Sequence, residues 1–147
     1  MRAVQTFWSG GKSLLTESFG WTLPEFHLMS WALSCVSLCR HYDEVVLYTD
    51  MEGRRVLIDQ LGLPYTHVIA EYDHILCPAN HWAYPKILTY SSQKKPFIHV
   101  DGDVYLSKPL VHNLDNADLM VQNREQGTGY YRNMADSFLH SNQFVPT

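Results

Sequence analysis

Two aspartates separated by a single glycine, Asp101-Gly102-Asp103, are the residues of this sequence best suited to chemistry. Two carboxylates this close repel each other, and a divalent cation resolves that conflict. Mg²⁺ and Mn²⁺ take one or two carboxylates and complete their coordination with water and phosphate oxygens. A metal held in this way neutralises the charge that develops on a departing diphosphate. The motif therefore predicts a Mg²⁺ or Mn²⁺ site with Asp101 and Asp103 as ligands.

A second polar segment, Ser9-Gly10-Gly11-Lys12-Ser13, follows the first predicted strand. The P-loop pattern requires a glycine where this chain has Thr6, so the segment is not a P-loop. It resembles the phosphate-binding loop of ATP pyrophosphatases, but Ser13 stands where that pattern has aspartate. Backbone N–H groups of a glycine-rich turn can bind phosphate. An ATP-pyrophosphatase-type enzyme that uses this loop is therefore an alternative.

The three cysteines indicate neither a disulfide framework nor a zinc site. The number of cysteines is odd, and no two of them form a C-x-x-C pair; they are Cys35, Cys39 and Cys77. His74, Cys77 and His81 offer only three loosely spaced ligands for zinc, which prefers four. Unpaired cysteines are typical of a reducing compartment, so we expect a cytoplasmic protein.

Apolar segments typical of buried strands alternate with segments of helical spacing. Predicted strands cover residues 3–8, 44–49, 66–69, 97–100 and 119–121, and predicted helices begin near Pro24, Gly53 and His81. This order is typical of a parallel sheet with covering helices. Strands that are apolar throughout indicate a sheet buried on both faces. The sequence therefore predicts an α/β fold.

The helix that begins at Pro24 is apolar over most of its circumference. Its apolar residues form two neighbouring stripes, one with Met29, Ala32, Leu33, Val36 and Cys39 and the other with Leu28, Trp31, Cys35 and Leu38. This pattern predicts a helix that is buried nearly all round. The small side chains of Ser30, Ser34 and Ser37 would let it lie close to the sheet.

Several carboxylates fall at the ends of predicted strands. Asp50 ends the second strand, and Asp101 and Asp103 follow the fourth. In a parallel α/β sheet, ligands bind at the carboxyl ends of the strands. We therefore expect Asp50 and Asp103 to open onto one cleft.

The residues around this motif resemble a known family. The segment from Phe97 to Leu110 resembles the D-x-D segment of GT-A fold glycosyltransferases, which use nucleotide sugars. Residues 82–88 are similar to the helix that precedes it, and residues 44–50 to the second strand of that fold. The resemblance covers roughly Val4 to Gln122. It implies a Rossmann-like GT-A sheet and a hexosyltransferase-type activity on a carbohydrate or lipid-linked acceptor.

The resemblance also implies roles for the residues near the diphosphate. Asp103 would bind the metal directly, whereas Asp101 would contact the ribose or reach the metal through water. Lys86, on the helix before the motif, would approach an oxygen of the diphosphate or the donor sugar as a point charge. Gln122, after the fifth predicted strand, would line the donor-sugar pocket.

Residues after the first two strands are the implied contacts to the nucleoside. The loop after strand one cradles the nucleobase in such enzymes, so Phe7 and Trp8 would form that wall, and a base can stack on an aromatic ring. Ordinary core packing is an equal alternative for one of the two. Asp50 would lie near the base or ribose, and a helix cap ahead of Gly53 is its alternative role.

The sequence departs from the family pattern after the fifth predicted strand. Longer enzymes carry an acceptor-binding region there, which often adds a histidine or aspartate to the metal shell. His140 is the only histidine late enough in this chain, and its neighbours do not mark it as a ligand. No catalytic base can be assigned, so a truncated or non-catalytic sugar-nucleotide-binding domain is a further alternative.

Composition limits the remaining classes of function. The 147 residues fit one domain, with an α/β core to about residue 123, and 46% of them are hydrophobic, enough for a buried core. The net charge of −4 argues against a nucleic-acid partner, which would need a basic face. No segment is typical of a signal peptide or a membrane span, although a peripheral membrane contact stays open.

Overall fold

The computed structural model describes residues 1–77, 81–110, 117–121, 129, 132, 133, 135 and 136. The chain divides into two units, Met1–Val111 and His112–Thr147. The first unit contains strands β1 (Arg2–Thr6), β2 (Val45–Thr49), β3 (His67–Ala70) and β4 (Phe97–His99). It also contains helices α1 (Pro24–Cys39), α2 (Met51–Gly53) and α3 (Tyr84–Ser91), a π-helix over Arg54–Gln60 that continues α2, and a 3₁₀ turn at Tyr72–His74. In the second unit, residues 129, 132, 133, 135 and 136 are helical.

The four strands form one parallel sheet in the order β3-β2-β1-β4. Ala3 of β1 lies opposite Val45 of β2 on one side and Ile98 of β4 on the other. All five residues of β2 are buried, as its apolar sequence predicts for a central strand covered on both faces. The predicted α/β class is confirmed.

Helices cover both faces of the sheet, and successive residues of β1 point to opposite faces. Phe7, just after β1, packs with Trp31 and Cys35 of α1 in one core cluster. Val4 of β1 packs in the other cluster, against which Leu88 of α3 lies. The site at the sheet edge is therefore bounded by α1 on one face and α3 on the other.

Helix α1 begins as predicted with Pro24 in its first turn, but it is not buried all round. Met29 is 64% exposed and Leu33 is 54% exposed, so the first apolar stripe is largely uncovered. Trp31, Cys35 and Leu38 of the second stripe are buried together with the serines, and Leu28 is half-buried. The reason is that the serine side chains find hydrogen-bond partners after β4, which turns this side of the helix inward.

The fifth predicted strand is wrong, because residues 119–121 are not in a strand. Leu119 is 83% exposed and Val121 is 68% exposed, and within the described part of the chain neither pairs with another strand. A short apolar run alone does not make a strand when no neighbouring strand accepts its hydrogen bonds. None of the helices among the described residues has the length and hydropathy needed to cross a membrane.

Candidate functional site

The strand order reverses between β1 and β4, and the ligand crevice expected of this fold class lies outside the carboxyl ends of those two strands. The chain adds β2 and β3 on one side of β1 and then returns to add β4 on the other side. Ligands of open α/β sheets bind at such a reversal, outside the carboxyl ends of the strands. Asp101, Gly102 and Asp103 follow β4 directly, so the motif lies at this position.

Asp101 forms an ion pair with Lys86 of α3. The Lys86 Nζ lies 2.7 Å from Asp101 Oδ1, and the His99 Nδ1 lies 3.6 Å from the same oxygen. The Asp101 side chain is 46% exposed, whereas that of Lys86 is 20% exposed. The structure therefore brings together two residues that the sequence assigned to the site, and the Asp101 side chain stays partly exposed.

The other two residues of the motif lie in contrasting environments. Asp103 is exposed, and its negative charge acts on the buried His27 of α1. Gly102 is buried beneath the indole of Trp31, and a Cβ atom there would lie 2.3 Å from that ring. The middle position of the motif must therefore be glycine, because a ring of α1 occupies the space of a side chain.

Three serines of α1 hold the backbone of the motif. The Ser30 Oγ donates to the carbonyl of Gly102 at 2.8 Å, and the Ser34 Oγ donates to the carbonyl of Val104 at 2.7 Å. The Ser37 Oγ accepts the Leu106 N–H at 3.1 Å. From the sequence, these serines were expected only to let α1 lie close to the sheet. Their spacing of four and three residues on one helix face was the signal available for a shared role.

Gln5 extends this serine contact into the sheet. Its side-chain Nε2 donates to the Ser34 Oγ at 3.0 Å and to the Asp101 carbonyl at 3.3 Å. The Tyr65 hydroxyl donates to the Gln5 Oε1 at 2.7 Å. Gln5 is fully buried, so these bonds replace its lost contacts with water. Gln5 was not among the predicted site residues, although a glutamine inside a buried central strand is itself a signal of a polar contact.

Asp50 does not open onto the crevice. It is 3% exposed, its Oδ2 accepts the Ser9 N–H at 2.6 Å, and its Oδ1 accepts the Gly53 N–H at 2.9 Å. It therefore caps α2 and fastens the loop after β1, which is the alternative that the sequence offered. Its contact with a base or ribose stays a prediction.

The two aromatic residues after β1 separate to opposite faces. Phe7 is 4% exposed and meets Trp31 edge-on, with ring centroids 5.5 Å apart. Trp8 is half-buried, packs against the α3-side cluster and lies against Gly10. Core packing thus accounts for Phe7, and Trp8 keeps part of its surface free.

An open cleft of about 330 Å³ lies beside the loop after β1. Its lining includes Ser9, Gly11, Lys12, Ser13, Glu52, Arg55 and Asp73. Several N–H groups here already have partners. The N–H groups of Gly11 and Leu14 donate to the Ser9 Oγ and the Glu52 Oε1, and that of Met51 donates to the Asp73 carboxylate. Arg55 is paired with Glu52 at 2.8 Å. These contacts leave fewer free N–H donors for a triphosphate. The ATP-pyrophosphatase alternative needs such donors to bind its phosphates.

A buried hydrogen-bond chain supports the carboxyl end of β4. The His99 Nε2 lies 3.0 Å from the Thr6 Oγ1, which donates to the Thr89 Oγ1 at 2.9 Å. The Tyr72 hydroxyl lies 2.6 Å from the same Thr89 oxygen. Burial lowers the pKa of His99 to about 4, with the Asp101 charge opposing it and Lys86 adding to it. His99 was not among the predicted site residues, although a histidine within a predicted buried strand was an available signal.

The two carboxylates of the motif are of the residue type that a hard cation takes as ligands. Asp101 and Asp103 supply carboxylate oxygens, and Mg²⁺ or Mn²⁺ commonly takes one or two of these together with water and phosphate. Within the residues that the structure describes, no group of three or more His, Cys, Asp or Glu side chains is arranged to hold a metal. Gln122 and His140 lie outside the described residues.

Fold and site together define a parallel α/β domain with a D-x-D carboxylate pair at the reversal of its strand order. The chain belongs to the family described as "Family of unknown function (DUF6734)", whose model matches residues 1–147. Neither a curated protein nor a solved structure was found to match the chain.

Proposed function

We propose that this chain is a GT-A-like, metal-dependent glycosyltransferase domain that binds a nucleotide-diphosphate sugar. The observation that carries the proposal is the ion pair between Lys86 and Asp101, directly after β4 at the reversal of the strand order. A carboxylate pair and an ammonium group at this edge offer both a cation site and a direct partner for phosphate. The transferred group is a hexose in this proposal, and the acceptor is a carbohydrate or a lipid-linked sugar.

The ligand would extend across the ends of three neighbouring strands. The open cleft beside the loop after β1 has the volume for a nucleoside, since ligand pockets begin near 300 Å³. Strands β2, β1 and β4 are consecutive in the sheet, so their ends span about 10 Å. In this proposal the base of a nucleoside diphosphate lies in the cleft and its phosphates lie beside Asp103.

Each residue at the crevice has a defined task in this proposal. Asp103 binds the cation, and the cation supplies charge neutralisation for the departing diphosphate when it is bound. Lys86 exchanges its contact with Asp101 for one with a phosphate oxygen, which frees Asp101 for the ribose or a metal-bound water. Trp8 borders the nucleoside. The assignment of a catalytic base is open, so a domain that binds the donor without transferring it is the second candidate.

Calorimetric titration with UDP and GDP, each with and without Mn²⁺, tests the proposal. We expect one nucleotide to bind at least tenfold more tightly with Mn²⁺, and Asp103→Asn to remove that gain. Asp43→Asn is the matched control, because Asp43 is also exposed but lies before β2, at the opposite edge of the sheet. Equal affinity with and without Mn²⁺, or no binding of any nucleotide, would overturn the metal–diphosphate model.

The Lys86 contact can be tested in the same titration. Lys86→Met should weaken binding of the nucleotide diphosphate about tenfold, the size of one charge-assisted hydrogen bond. Lys94→Met is its control, since Lys94 is exposed in the turn before β4. Sugar release from UDP-hexoses by the unaltered chain separates the two candidates: release or transfer supports the enzyme, and binding without either supports the non-catalytic domain.

A further inference from the structure

Trp82, in the turn that leads into α3, is half exposed beside the charged pair. Its side chain is 51% exposed, and the Lys86 Nζ lies 4.9 Å from the centroid of its ring. The same Nζ contacts Asp101 at 2.7 Å. One ammonium group therefore separates an open aromatic surface from the carboxylate of the candidate site.

The packing of α3 on β4 fixes where this ring lies. Lys86 and Tyr90 are spaced by four residues and lie in one row along α3, and Trp82 stands four residues before Lys86 in the turn that leads into the helix. The Tyr90 ring lies 6.0 Å from that of Phe97 and 4.9 Å from that of His99, near the start and end of β4, whereas Lys86 reaches Asp101. The row thus runs antiparallel to the strand. Trp82 precedes this row, beyond the carboxyl end of β4.

The chemistry of this position matches a sugar ring better than other small ligands. A pyranose has a face of C–H groups, which packs on the negative face of an aromatic ring, and a rim of hydroxyl groups. The Lys86 Nζ lies over the indole ring, and Lys86 and Asp101 offer a donor and an acceptor for those hydroxyl groups. An apolar surface with a few convergent polar groups is the usual form of a small-molecule site.

We infer that Trp82 is a stacking platform for a sugar ring beside the Asp101-Gly102-Asp103 carboxylates. The inference rests on the proposed function for the role of the bound sugar. In that proposal Lys86 contacts the diphosphate, and the hexose is bonded to this diphosphate. The same chemistry can come from the donor sugar or from an acceptor sugar, and the two sources are distinguished below.

Saturation-transfer-difference NMR on the full chain tests the platform. The probes are UDP, UDP-glucose and UDP-N-acetylglucosamine with Mg²⁺, which is diamagnetic, and the methyl pyranosides of glucose, galactose and mannose without a metal. Trp82→Ala should reduce the saturation received by sugar ring protons about fivefold or more, the size of one lost stacking partner. Trp82→Phe should retain most of it. Trp21→Ala is the matched control, since Trp21 is 36% exposed in the loop before α1.

The outcomes separate this inference from the proposed function. Sugar signals that depend on Trp82 only in the UDP-sugars identify the donor, and signals in the free pyranosides identify an acceptor. Trp82-dependent pyranoside signals without uracil signals would support the platform while contradicting a uridine-nucleotide site. Sugar signals that are equal in Trp82→Ala and Trp21→Ala, or absent from every probe, would overturn the platform. Thermal unfolding of each variant verifies that it is folded.

Discussion

The Cβ position of Gly102 lies 2.3 Å from the Cε2 atom of Trp31, so the indole fills the space in which a side chain would stand. Trp31 is itself 5% exposed and packs edge-on against Phe7, which leaves it little room to withdraw. The spacing of Asp101 and Asp103 is therefore coupled to the core on the α1 side of the sheet.

Gly102→Ala should destabilise the chain and displace the motif. The added methyl group must push apart a backbone turn and a buried ring, which costs about 1–3 kcal/mol in free energy of unfolding. Urea denaturation measures this cost, and the Mn²⁺-dependent part of nucleotide binding measures the displacement. Gly129→Ala is the control, because among the described residues no atom beyond its chain neighbours and its own helix backbone lies within 4 Å of its Cβ position. Equal stability of the two variants would contradict the proposed constraint.

The sequence predicts the carboxylates of the site but not the residues that position them. Asp101 and Asp103 stand out because two acids flank a glycine after an apolar strand. Trp31 and Ser34 lie some 70 residues earlier on a helix, and which helix face turns inward depends on tertiary partners. Periodicity alone placed both apolar stripes of α1 in the core, because it carries no information about hydrogen bonds to a distant turn.

Asp50→Ala should lower the stability of the fold, and its direct effect should be on the cap of α2 and not on the crevice. Its two carboxylate oxygens accept the N–H groups of Ser9 and Gly53 in a buried position, so both donors would lose their partner. We expect a loss of about 2–4 kcal/mol in free energy of unfolding. Asp59→Ala is an exposed control on the π-helix that continues α2, and it should change stability by less than about 0.5 kcal/mol. Similar unfolding midpoints for both variants would show that the cap contributes little.

The parallel sheet was predictable because its strands are mostly apolar and alternate with helical segments. Val45 to Thr49 illustrates this, since all five residues are buried. The predicted strand at Leu119 failed because a run of three apolar residues satisfies the pattern, yet none of the described strands pairs with it. Asp50 was ambiguous for a similar reason: an acid between a strand and a helix has the same sequence signature as a cap or as a ligand.

His27 should make the chain less stable as the pH falls from about 6.5 to about 4. Burial lowers its pKa from 6.5 to about 4, although the charge of Asp103 opposes the shift. Between these values the unfolded chain binds the proton and the folded chain does not, so each pH unit removes about 1.4 kcal/mol of stability. The His27 Nε2 also accepts the Trp31 Nε1–H at 2.9 Å, which requires the unprotonated nitrogen.

His27→Gln tests this assignment, because a glutamine oxygen can still accept from Trp31 but does not titrate. Urea unfolding at pH 7.0 and at pH 5.5 should show a smaller loss in the variant than in the unaltered chain. Part of the loss should persist, since burial also lowers the pKa of His99 to about 4. An identical loss in both proteins would show that His27 is not the titrating group.

Ser34→Ala should weaken both the fold and the metal-dependent site, because Ser34 joins α1, β1 and the segment after β4. Its fully buried Oγ accepts from the Gln5 Nε2 at 3.0 Å and donates to the Val104 carbonyl at 2.7 Å. Removing it leaves both partners short of a hydrogen bond, at a cost of about 1–3 kcal/mol. Ser91→Ala is the control, since the exposed Ser91 Oγ donates to the Leu88 carbonyl of its own helix at 2.9 Å. Urea denaturation should show a clear loss for Ser34→Ala and almost none for Ser91→Ala, and Mn²⁺-dependent nucleotide binding should weaken only in the former. If Ser34→Ala loses stability but keeps full metal-dependent affinity, the serines support the core without positioning the carboxylates.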